Sequence, residues 1–158
     1  MLVEQAFQND GLIVAQSGGA VVARNFVHAL GKIEIMAGGA VELCASGQNV
    51  IDFVGSGGLL IEDQLSFGDE FLGFAKGDTI HLRALGFEQA HSSWSFTPYV
   101  AADPAIGGNL KFSGFDGSGG PETATLSLPG NYTKARFTLS ADTHVVGDGN
   151  FGTILSIS

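Results

Sequence analysis

A glycine-anchored unit returns about every twenty residues through the first half of the chain. It reads Gly18-Gly19-Ala20-Val21-Val22, Gly38-Gly39-Ala40-Val41-Glu42, Gly57-Gly58-Leu59-Leu60-Ile61 and Gly77-Asp78-Thr79-Ile80-His81, with anchors 20, 19 and 20 residues apart. Upstream of each anchor lies a short alternating run: Leu12-Ile13-Val14, Ile33-Glu34-Ile35, Ile51-Asp52-Phe53 and Phe71-Leu72-Gly73-Phe74. One such unit cannot bury its own apolar face, so a repeat of this length demands that neighbours stack on one another. The apolar positions alternate at period two, are rich in Val, Ile, Leu and Phe, and are cut by glycine, which favours strands over helices.

These features predict an all-β fold, a parallel β-solenoid (β-helix) of about four coils of about twenty residues over residues 1–85. Ile13, Ile33 and Phe53 are expected in one inward ladder, and Val21, Val41, Leu60 and Ile80 in another. The 24 glycines far exceed the eleven or so expected at a usual frequency of ~7%, and their fixed offsets place them at corners. From about Gly86 the period fails. Ser92 to Tyr99 alternates apolar and polar residues, Gly107–Phe112 and Ala124–Leu128 read as a hairpin, and Phe137–Leu139 and Thr153–Ile157 as closing strands. Residues 86–158 are therefore expected to form an irregular antiparallel β cap, packed on the solenoid as part of one structural unit.

The order of elements resembles the final segment of long, repetitive bacterial secreted and surface proteins, the autotransporter-like or adhesin-like β-strand-repeat family. The matching stretches are Gly31-Lys-Ile-Glu-Ile-Met-Ala-Gly-Gly-Ala-Val-Glu-Leu43, Phe53-Val-Gly-Ser-Gly-Gly-Leu-Leu-Ile61, Gly73-Phe-Ala-Lys-Gly-Asp-Thr-Ile-His-Leu82, Ala124-Thr-Leu-Ser-Leu-Pro-Gly-Asn-Tyr-Thr133 and Phe137-Thr-Leu139. Two places depart from the pattern: His81 stands where the family usually has an acidic residue, and the compact ending of the family is expanded to Asp142–Thr153. The resemblance implies a secreted or cell-surface location and a structural or adhesive role, and it carries over no catalytic residue.

Charge narrows the partners. A net charge of −9, with seven Lys and Arg spread singly, supplies no row of cations for phosphates, so no nucleic acid is expected. No stretch reaches the ~18 consecutive apolar residues of a membrane span. Cys44 is alone, which excludes an internal disulfide and a cysteine cage, and its place after Leu43 suggests a small buried residue. The four histidines lie far apart, so no metal site is expected. The loops at Asp116-Gly-Ser-Gly-Gly and Asp142 to Asn150 have the composition of calcium-binding turns without their spacing, so no cofactor is expected.

Two sets of residues are candidates for chemistry. His91, Trp94, Phe96 and Tyr99 are the one aromatic concentration with polar partners, and a shelf from Trp94 to Tyr99 would stack on sugar rings. Glu62, Asp63, Asp69, Glu70 and Asp78 gather five of sixteen carboxylates into seventeen residues, as a polysaccharide lyase or hydrolase would require. The expected function is a non-enzymatic structural or adhesive module, with carbohydrate or another surface protein as partner and self-association through an open sheet edge. The alternative is a small β-helical polysaccharide-acting enzyme that uses the carboxylates of 62–78.

Overall fold

The computed structural model describes residues 2–3, 8–23, 30–44, 47–62, 66–115, 119–142 and 152–158. Among them fourteen strands form: β1 (Leu2–Val3), β2 (Leu12–Ala15), β3 (Ala20–Ala23), β4 (Lys32–Met36), β5 (Ala40–Leu43), β6 (Val50–Val54), β7 (Leu59–Glu62), β8 (Ser66–Leu72), β9 (Thr79–Leu82), β10 (Ser93–Pro98), β11 (Gly107–Phe115), β12 (Pro121–Pro129), β13 (Phe137–Ala141) and β14 (Thr153–Ile157). A single 3-10 turn, Pro104–Ile106, is the one helical element among the described residues.

Successive strands of the first half alternate between two open sheets. One runs β1-β3-β5-β7-β9-β14-β13, the other β2-β4-β6-β8-β12-β11-β10, and neither closes into a barrel. All pairs from β1 to β9 are parallel. Parallel sheets that face each other bury near-continuous aliphatic side chains, and Ile33, Ile35, Ile51, Leu60, Phe71, Ile80 and Leu82 are all fully buried between the two. Each contributes about 1.5–3 kcal/mol of transfer free energy.

The expected ladder of Val21, Val41, Leu60 and Ile80 is the observed register. The other ladder is corrected: Ile13 pairs with Ile33 and Ile33 with Ile51, while Phe53 lies beside Ile35. The cause is a shorter step. Lys32 meets Val50 eighteen residues on, where the other steps in that sheet are twenty, so extrapolation at constant spacing lands two residues too far. A two-residue slip keeps every side chain on its own face, because the strand period is two.

Glycine holds the corners for two physical reasons. Gly38 takes φ +72°, a region that side chains disfavour. Its neighbour Gly39 is wedged against the preceding layer, where a Cβ would stand 2.3 Å from the Ala15 carbonyl oxygen. At the fourth repeat the second glycine is replaced by Asp78, which is fully buried. Its carboxylate accepts from the Gly58 N–H at 2.9 Å and from the Ala75 N–H at 2.9 Å, so the acid closes the turn from within.

The second half extends both sheets. β12 joins β8 in parallel, and β11 and β10 follow antiparallel. In the other sheet β14 joins β9 antiparallel, followed by β13. The hairpin expected from Gly107–Phe112 and Ala124–Leu128 is β11–β12, with residues 116–118 of its tip outside the described residues. Cys44 is half-buried at the end of β5. No helix among the described residues is long and apolar enough to cross a membrane.

Candidate functional site

Because β10 is the last strand of one sheet and β13 the last of the other, the space between the sheets opens at this end. Aromatic side chains fill the gap. On β10, Trp94 pairs with Phe112 and Phe96 with Leu110, and since Phe112 and Leu110 are buried, alternation turns Trp94, Phe96 and Pro98 toward the other sheet. Phe137 of β13 meets them from that sheet. Its ring lies 5.4 Å from Trp94 at an interplanar angle of 72° and 6.1 Å from Phe96 at 27°.

Tyr132 completes the group, 6.0 Å from Phe137 and 6.3 Å from Phe96. It is set by a local turn in which the Asn131 carboxamide oxygen accepts from the Thr133 N–H at 3.2 Å and from the Thr133 hydroxyl at 2.7 Å. Burial pushes the Tyr132 phenol up to about 12, although its oxygen accepts a hydrogen bond from the Phe74 N–H. This ring is therefore pinned between the cleft and the β8–β9 turn.

The result is a cleft of about 340 Å³ lined by Trp94, Phe96, Pro98, Pro104, Tyr132, Thr133, Ala135 and Phe137. Trp94 remains 42% exposed, whereas Phe137 and Tyr132 are buried. Lys134 and Arg136 are exposed and absent from the lining, so among the described residues the walls carry no formal charge. Such a surface suits a ligand with an apolar face. The cleft's volume admits one or two rings rather than a polymer, near the lower end of ligand pockets at about 300 Å³.

The predicted aromatic set is thus divided. Trp94 and Phe96 share the cleft. Tyr99 has the opposite parity, and its hydroxyl pairs with that of Ser127, which lies between the buried Leu126 and Leu128 and so on the outer face. His91 is exposed, 3.2 Å from a Glu88 carboxylate oxygen and edge-on to Phe115 at 5.8 Å. Tyr132 and Phe137, which belong to the cleft, escaped the sequence reading because they lie more than thirty residues from Trp94 and come from another sheet and a loop. The one local signal was Asn131-Tyr-Thr133, a turn that fixes an aromatic residue.

The acidic set does not converge among the described residues. Asp69, almost fully buried, accepts from the Asn49 N–H at 2.7 Å and the Asn49 amide at 3.0 Å. Burial raises its pKa above the usual carboxylate value, against those donors. It lies within β8, where the register with β12 shifts between Ser66 and Glu70, and Asp78 stands at the corner before β9. Glu70 is exposed, the Glu62 backbone belongs to β7, and Asp63 lies outside the described residues. Paired catalysis needs two carboxylates on either side of one bond, whereas Asp69 and Asp78 are each occupied by backbone N–H groups.

One further charged pair stands apart from both sets. His81 of β9 lies with Nδ1 2.8 Å from Oδ2 of the buried Asp142, just past β13. Asp142 in turn donates its N–H to the Gly152 carbonyl at 2.7 Å, so the pair fastens the base of the β13–β14 connection to β9. No group of three His, Cys, Asp or Glu side chains is arranged to hold a metal among the described residues. Compared with known proteins, the chain matches no family model, and no curated protein is significantly similar to it.

Proposed function

We propose that this chain is a non-enzymatic recognition module of a secreted or surface protein. Its first half is a β-solenoid of four windings that serves as scaffold, and its second half carries a carbohydrate-ring site in the Trp94 cleft. Steps of about twenty residues, alternating between two parallel sheets, support the solenoid reading. The secreted or surface location follows from the family resemblance.

The observation that carries the function is the exposure of Trp94 at the mouth of an aromatic cleft. A pyranose presents an apolar C–H face that stacks on such rings, and hydroxyls that reach the rim. Burial and backbone bonding of Asp69 and Asp78 favour binding over polysaccharide cleavage. A second copy of the chain is the further partner proposed, through β2, an edge strand on which Leu12 and Val14 are exposed.

A glycan array followed by titration calorimetry tests this. Soluble oligosaccharides bind the wild type, and Trp94→Ala weakens them about tenfold or more, the equivalent of one lost stacking contact. An unchanged affinity in Trp94→Ala removes the cleft from the function. Release of reducing ends from a polysaccharide, abolished by Asp69→Asn, would replace binding with catalysis.

A further inference from the structure

The opposite face of the strands that build the cleft has a different chemistry. Pairing places Ser95, Lys111 and Thr125 in one row across β10, β11 and β12, and Thr97, Asn109 and Ser127 in the next. A third row beginning at Ser93 continues with a serine and a threonine. All are outward positions, alternating with buried Leu110, Phe112, Ala124 and Leu126, and most are exposed. Side chains on such a grid are spaced about 4.8 Å across strands and about 6.8 Å along them.

Lys111 is the single charge in these three rows. The contrast within one sheet is sharp, since the outer face of β4 and β6 carries Lys32 paired with Glu34 at 2.9 Å and with Asp52 at 2.8 Å. Short neutral hydroxyls and an amide thus replace ion pairs where the strands turn antiparallel.

Tyr99 lies on this face. Its N–H bonds to the Gly107 carbonyl at 3.0 Å, prolonging the β10–β11 pairing, while its hydroxyl reaches Ser127 on β12. Two strand spacings, about 9–10 Å, separate β10 from β12. To bridge them the side chain must lie along the sheet over β11 rather than stand away from it. β11 begins opposite Tyr99 at Gly107, which has no side chain, and Tyr99 remains 40% exposed.

We infer that the outer face of β10–β12 is a second binding face, for an extended neutral polysaccharide, with Tyr99 as its stacking platform and the hydroxyl rows as its hydrogen-bonding grid. A flat aromatic ring takes the C–H face of a sugar, and uncharged donors and acceptors match its hydroxyls. The chain's net charge of −9 repels an acidic polymer, and the absence of large apolar side chains from the rows disfavours a protein partner. The inference rests on the reading of the chain as a carbohydrate-recognition module, and places a second face on the side of β10–β12 opposite the cleft.

Retention of the full chain on insoluble cellulose and chitin tests it, alongside calorimetry with soluble oligosaccharides. Wild type is expected to bind an insoluble polymer, Tyr99→Ala about tenfold less, and Tyr99→Phe within about twofold of wild type, because the platform needs the ring. Thr125→Glu, which puts a charge into the grid, is expected to lose retention while keeping the wild-type melting temperature. Lys76→Ala, an exposed position outside both faces, keeps retention on the polymer and serves as the control. Failure of the wild type to bind either polymer, or equal retention of Tyr99→Ala, overturns the second face. Loss of oligosaccharide affinity alone overturns only the cleft.

Discussion

Asp69 ties two layers of the first half to each other and Tyr132 ties the second half to the first, and both give sharp expectations. Desolvation raises the Asp69 carboxyl from its ordinary 3.8. Between that value and its raised native value the folded chain keeps a proton that the unfolded chain has lost, so stability falls as pH rises through the window. Asp69→Asn retains an acceptor for Asn49 and removes the titration. Its melting temperature is expected to vary less between about pH 4 and pH 7 than that of the wild type, as measured by calorimetry. An identical pH slope in the variant would show that Asp69 is ionised at no cost. Tyr132 accepts from the Phe74 N–H, so Tyr132→Phe leaves a buried donor unpaired and is expected to cost about 1–3 kcal/mol in urea unfolding.

At the level of strands, burial follows alternation more closely than it follows hydrophobicity. Ile33 in β4 is fully buried and flanked by Ile13 and Ile51, whereas Leu12 in β2 is 58% exposed. Ile33→Ala is expected to destabilise the protein by about 2–5 kcal/mol and Leu12→Ala by less than about 0.5 kcal/mol, both read from denaturant midpoints. The same alternation governs β10. Trp94 and Phe96 turn inward and Tyr99 outward, so one aromatic segment serves two faces. The glycine corners obey a different limit, since Gly39→Ala would force a Cβ to 2.3 Å from a carbonyl oxygen. That contact cannot be relieved without moving the layer beneath, which is backbone on both sides.

For the whole molecule, the continuity of the sheets across the two halves matters most. β12 bonds to β8 and β14 to β9, so neither half can open without breaking a strand pairing of the other. A single cooperative transition is expected, in which fluorescence from Trp94, the chain's one tryptophan, and far-UV circular dichroism coincide in urea. Separate transitions would mean that the parallel half melts by itself, as repeat arrays do. The β2 edge sets the other expectation at this scale. Leu12→Lys is expected to lower any concentration-dependent association seen by sedimentation velocity, because a charge blunts an open edge. Association unchanged in that variant would place the contact elsewhere.

The twenty-residue glycine spacing was enough to read strands, corners, one complete ladder and the hairpin β11–β12, because these are set by alternation and by turn geometry within a few residues. The shortened step between β4 and β6 is written in the runs that begin at Ile33 and Ile51, but a two-residue change leaves the pattern of faces intact, so a constant period displaced Phe53 from its expected partners. Trp94 and Phe96 could be singled out as neighbours in one strand. That Phe137 and Tyr132 join them, and that Tyr99 does not, was decided only when two sheets ended side by side, because contacts between layers depend on distant pairings that no local period encodes.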